Sequence, residues 1–125
     1  MHTAYASIHG MELTFVQLPR FASRWAKLRL NDDDLQALER ILLRNPEAGT
    51  GVAGTGGLRK VRFAPPSRHV GKSGAFRVGY TYFRTAEAVY LLAIYPKNEQ
   101  ANLTAAEKAE SRKLIEIIGR ALCKH

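Results

Sequence analysis

The sequence predicts an α+β domain in the order β–α–α–β–β–β–α, its last three strands an antiparallel meander with helices packed on the sheet. Three observations carry this. Leu58–Ala64 and Ala75–Phe83 alternate apolar and polar residues with the period of two that half-buried strands require. Val89–Tyr95 is apolar on both faces, as a central strand would be. Capped stretches with a 3.6-residue apolar period flank this meander on both sides.

The elements follow in order. Residues 1–10, MHTAYASIHG, show neither period and read as an N-terminal extension, leaving 11–125 as a single domain. Leu13, Phe15 and Gln17 alternate with Thr14, Val16 and Leu18, which predicts a largely buried first strand. Pro19 suits the opening turn of a helix, and Phe21, Trp25 and Leu28 follow at i, i+4 and i+7. Asn31 can cap a second helix, with Asp32, Asp33 and Asp34 in the turn where the helix dipole favours anions. Its stripe is Leu35, Leu38, Ile41 and Leu42, and Asn45-Pro46 ends it. Gly49–Gly57 reads as a flexible, glycine-rich loop. In the next two strands Val61 and Phe63 oppose Lys60 and Arg62, while Phe76, Val78, Tyr80 and Tyr82 oppose Arg77, Gly79 and Thr81. Pro65-Pro66 closes the first of them, and Ser67–Gly74 is a basic connection. Pro96 stops the last strand and leaves Lys97 at its mouth. Thr104-Ala105-Ala106-Glu107 is a capping box, and Leu114, Ile115, Ile118 and Leu122 supply the stripe of the final helix.

Composition narrows the function. The 125 residues are 46% hydrophobic and 24% charged, so the chain is globular, with a formal charge of +8 and a pI near 10.0. The positive charge is local: from Ala48 to Ala86 there is no Asp or Glu, but there are Arg59, Lys60, Arg62, Arg68, Lys72, Arg77 and Arg84. Cations interleaved with apolar residues on strands form a rigid positive surface, which attracts a polyanion, and nucleic acid is the commonest. The longest apolar run, Ala88–Tyr95, is too short to span a bilayer, and no secretory signal opens the chain, so a cytoplasmic protein without membrane attachment is expected. Cys123 is alone, and the four histidines are scattered without companion cysteines, so no disulfide, metal site or cofactor is expected. Gly71-Lys72-Ser73 is not a phosphate loop, because position 66 is Pro66 where that loop needs glycine. The Asp32–Asp34 run is a helix start rather than acid–base or metal chemistry.

The segments GTGGLRKVRFA, GKSGAFRVGYTYF and VYLLAIYPKNEQANLTAAEKAESRKLI, in that order, resemble the HigB-like branch of the RelE/ParE toxin superfamily over about Glu12–Leu122. The resemblance implies the toxin of a type II toxin–antitoxin pair with a RelE-like fold. RelE-like members are ribosome-dependent endoribonucleases, or mRNA interferases, that inhibit translation by cleaving mRNA in the A site through attack of a 2′-OH on its own phosphodiester. The resemblance also implies a cognate antitoxin, HigA-like and carrying a helix-turn-helix, with operator DNA bound only through it.

Such cleavage requires proton transfer and cations facing the charge that grows on phosphorus. By position in the motif, Lys60, Arg62, Arg77 and Lys97 are the catalytic candidates. Arg77 would hold the scissile phosphate, because a guanidinium grips two oxygens at once. Lys60 and Lys97 would move the protons. Arg59, Arg68 and Lys72 are candidate RNA or ribosome contacts, and Tyr82 and Tyr95 either stack on a base or belong to the core. The chain departs from some RelE relatives in lacking a tyrosine after Tyr95; the corresponding segment reads Ala101-Asn102-Leu103. Two other classes stay open: a ParE-like gyrase poison of the same fold, and a non-catalytic nucleic-acid-binding protein. The absence of RNP-type aromatic motifs argues against the last as a stand-alone role.

Overall fold

The architecture is built around a central strand that joins the N-terminal strands to the later meander. In a computed structural model, which describes residues 2–8, 11–68, 75–100 and 102–123, six strands form one mixed sheet in the order β1-β2-β6-β5-β4-β3. The elements are β1 (His2–Ile8), β2 (Met11–Gln17), α1 (Pro19–Lys27), α2 (Asp32–Arg44), β3 (Thr50–Gly51), β4 (Leu58–Phe63), β5 (Phe76–Phe83), β6 (Ala88–Pro96) and α3 (Ala105–Cys123). The meander β4–β5–β6 is antiparallel, and β2 joins it by pairing parallel with β6. Being hydrogen-bonded on both edges and covered on both faces, β6 has no use for polar residues, which explains its continuous apolar run.

Two layers of side chains hold the sheet. On one face α1 and α2 bury Phe21, Trp25, Leu38 and Leu42 against Leu13, Phe15, Phe63, Val78 and Val89. Phe21, Trp25 and Phe63 stack in series, with ring centroids 5.6 and 6.0 Å apart. On the other face α3 packs Ile115 against Leu18, Leu58, Leu92 and Tyr95.

Both expected caps are present. Asn31 and Asp34 exchange side-chain and backbone bonds of 2.9 and 3.0 Å, and Thr104 and Glu107 do so at 3.1 and 2.8 Å. Three expectations need correction. Within the segment that shows neither period, His2–Ile8 is a strand: it pairs along its whole length with Met11–Gln17, making β1 the sheet edge. In α2 the buried arc is Leu38, Leu42 and Leu43, while Ile41 is exposed, because the helix is rotated toward Leu43. The glycine-rich segment is a folded hairpin rather than a free loop. There β3 pairs with β4, and Thr55 is fully buried, donating to the Val52 carbonyl at 2.6 Å and accepting the Leu58 N–H at 3.1 Å.

Candidate nucleic-acid interface

The cation row is set by strand register. Arg62 lies opposite Arg77, and Arg77 lies opposite Tyr95, so three adjacent strands bring these side chains side by side on the α3 face. In the next row Lys60 lies opposite Gly79, which lies opposite Ala93; a Cβ at Gly79 would stand 3.4 Å from the Ala93 methyl and 3.6 Å from the Leu58 side chain. The packing of α3 lies over Leu58, Leu92 and Tyr95, at one end of this row, and Arg62 at the other end is exposed.

Tyr95 reaches this row only because β6 is irregular. Gly79 pairs with Ala93 but Tyr80 pairs with Leu91, so Leu92 is an extra residue without a partner on β5. Without that bulge Tyr95 would share the face of Val89 and Leu91 in the α1–α2 core. With it, the alternation shifts by one and the phenol lands beside Arg77. A bulge next to a site commonly re-aims a side chain in this way.

The polar atoms here are under-satisfied. Arg77 Nη1 and the Tyr95 hydroxyl are both buried without a hydrogen-bond partner among the described residues. Burial pushes the Tyr95 phenol up from its ordinary value; Arg77 opposes that rise and Glu107 adds to it. The phenol therefore stays protonated at neutral pH and is available as a donor. Around them runs a polar frame. Lys60 Nζ donates to Asn102 Oδ1 at 3.1 Å, and Gln100 Nε2 donates to the Asn102 carbonyl at 2.8 Å and to Glu107 Oε1 at 2.6 Å. The Thr104 N–H above all, together with Gln100, holds the Glu107 carboxyl below its usual value, against its partial burial. Asn102 was missed from sequence as a site residue, although it stands in the segment where a tyrosine was sought.

The remaining candidates separate. Lys97 is exposed in the turn after β6, anchored by its backbone N–H on the Ala75 carbonyl at 3.2 Å. Arg59 is turned to the α2 side, donating to the Gly49 carbonyl at 2.8 Å and standing 3.7 Å from the Glu47 carboxylate. The Arg68 guanidinium is half-buried, bonded to the Leu28 carbonyl and lying 5.4 Å over the Phe76 ring. Tyr82 packs against the α1–α2 core. These three are on the face opposite Arg77. Lys72 lies outside the described residues.

A sequence profile described as the RelE toxin of the RelE / RelB toxin–antitoxin system matches residues 16–123. That range is most of the chain. The chain belongs to the RelE toxin family. Its fold is similar to that of the Escherichia coli toxin RelE in the free state, solved as a double arginine-to-alanine mutant. The two align with a TM-score of 0.51 at 15% identity, over 77% of this chain and 93% of that one. This RelE-family toxin carries its cation row on the β4–β5–β6 meander. Among its described residues no helix is long and apolar enough to cross a membrane.

Proposed function

We propose that this toxin is a ribosome-dependent mRNA endoribonuclease, acting in the A site through attack of a 2′-OH on the adjacent phosphodiester. The observation that carries the reading is Arg77, whose half-buried guanidinium has an unpartnered Nη1 and stands between Arg62 and Tyr95 with no carboxylate bonded to it among the described residues. Buried polar groups are almost always paired within a protein, so an unpaired cation beside exposed cations is suited to a ligand's oxyanion. Arg77 holds the scissile phosphate, Arg62 adds positive field, and Lys60, steadied by Asn102, is placed for proton transfer. Lys97 serves from the rim. Arg59, Arg68 and Tyr82 maintain the fold rather than touch RNA.

The site is cytoplasmic in this reading, and a HigA-like antitoxin encoded nearby silences it, alone contacting operator DNA. The HigB-like assignment rests on the Gly-Lys-Ser-Gly and Tyr-x-Lys-Asn-Glu motifs. The test is primer extension on ribosome-bound mRNA, with wild type and Arg77→Ala side by side. Cleavage by wild type and about a hundredfold less by the variant is expected. Intact mRNA together with blocked DNA synthesis would put the gyrase-poison reading in its place.

A further inference from the structure

We infer that the Tyr95 hydroxyl and Arg77 Nη1 together form a two-donor subsite for a non-bridging oxygen of the RNA phosphodiester, with Tyr95 acting through its hydroxyl and not through its ring face. The inference rests on the nuclease reading for the identity of the anion, but its geometry stands apart from it. The ring of Tyr95 is packed with Leu18, Leu58, Leu92, Leu103 and Ile115, and only 5% of the residue is exposed. A ring buried in that way has no free face on which a base could stack.

Its hydroxyl is unpartnered and lies beside Arg77, which is itself unpartnered at Nη1. Leaving a buried polar group unpaired is costly, and two such groups side by side accept the same remedy, a shared acceptor. Both are donors: the guanidinium has no acceptor atom, and the phenol, held protonated by burial, has one hydrogen to give. Two donors cannot satisfy each other fully, so the acceptor must come from outside. Glu107, the carboxylate whose charge Tyr95 feels, is already committed to Thr104 and Gln100. A phosphoryl oxygen has the lone pairs and the charge to accept from both at once.

The frame built by Gln100, Asn102 and Glu107 then has a clear purpose. It takes up the nearby carboxylate and fixes Lys60, leaving the Arg77–Tyr95 pair free for substrate. Gly79 and Ala93, in the row of Lys60, put no long side chain between Lys60 and Arg77.

Tyr95→Phe is the discriminating variant, because it keeps the ring and removes only the hydroxyl. Its melting temperature should equal or exceed that of wild type, since an unsatisfied buried group is lost. Single-turnover cleavage of mRNA on programmed ribosomes should fall at least tenfold. A stacking or purely structural role leaves the cleavage rate unchanged, and a wild-type rate in Tyr95→Phe overturns the subsite. The second measurement is independent of the ribosome: a titration with inorganic phosphate, followed by NMR at the Arg77 guanidinium resonance, which Arg77→Ala identifies by its absence. Phosphate should shift that resonance in wild type and clearly less in Tyr95→Phe. If wild type leaves mRNA whole, the nuclease reading fails while this titration still decides the subsite. Equal phosphate shifts in wild type and Tyr95→Phe, or none in either, would reject it.

Discussion

Tyr80 and Tyr95 are buried phenols on neighbouring strands, and their hydroxyls meet opposite fates. Tyr80, on the α1–α2 side, donates to the Pro46 carbonyl at 2.7 Å and accepts the Gly49 N–H at 2.9 Å. Even the glycine is fitted to it: a Cβ at Gly49 would come within 2.9 Å of the Tyr80 ring. Tyr95, on the α3 side, has no hydrogen-bond partner among the described residues. The cations follow the same division. Arg59 and Arg68 are tied to backbone carbonyls on the first face, whereas Arg62 and Arg77 on the second have no hydrogen-bonding or ionic partner among the described residues. One face of the sheet is finished by the protein itself; the other is left for something else to complete. Sites are where folded proteins tolerate such incompleteness.

The widest gap between the faces should appear when each loses a large residue. Phe63→Ala, emptying a site 1% exposed beneath Trp25, is expected to cost about 3–5 kcal/mol, read by urea denaturation. A cost below about 1 kcal/mol would mean the stacked aromatic series is not the core. Arg77→Ala is the counterpart: a folded protein, still bound by antitoxin, with about 3 kcal/mol added to the cleavage barrier. Arg77→Lys should recover little, because an ammonium cannot grip two oxygens. If Arg77→Ala instead unfolds the chain, the two faces do not differ as described.

Asp34 probes the finished face by pH. It is fully buried and accepts the Asn31 N–H at 3.0 Å, the Ser67 N–H at 2.9 Å and the Ser67 hydroxyl at 2.6 Å. Burial raises its pKa, but these bonds and the Arg68 charge more than offset it, leaving it below the ordinary aspartate value. A carboxyl lowered on folding contributes stability that is present above its unfolded pKa and is lost as pH falls through the folded one. Wild type should therefore lose this contribution below about pH 4, and Asp34→Asn should be about 1–3 kcal/mol less stable at neutral pH with a flatter acid limb. Parallel acid limbs for the two proteins would remove Asp34 from the account.

The smallest effect is expected at the sheet edge. A chain starting at Met11 loses β1 but keeps Leu13 and Phe15 in the core and β2 paired to β6. It should melt within a few degrees of the full chain by circular dichroism. A much larger drop would make residues 2–8 part of the domain's stability rather than an extension of it.

Much of this was legible in the sequence, for identifiable reasons. Period-two alternation put Arg77 opposite Phe76 and Val78, and capping chemistry marked the starts of α2 and α3, because those signals are local. What escaped was what depends on partners far along the chain. Asp34 read as one carboxylate of a helix start, and nothing within its own turn announces Ser67, which lies 33 residues away. Arg59 and Arg68 counted as free cations because charge is visible in a sequence and a carbonyl waiting for it is not. The strand β1 was hidden by its small residues, although Gly10, in the gap between Ile8 and Met11, is a hairpin signal. Asn102 carried no signal of its own; only the register that brings β4 beneath it makes it a partner for Lys60.

The extra residue at Leu92 makes β6 tolerant of a one-residue loss at that point. Deleting the Leu92 codon would leave a regular ladder in which Ala93 still faces Gly79 and Tyr95 still faces Arg77. The Tyr95 phenol would stay beside the arginines, and the loss would fall on the apolar cluster under α3, to which Leu92 belongs. For a gene whose product harms its host, this is a place where an in-frame deletion spares the cation row, because the strand carries a spare residue to absorb it.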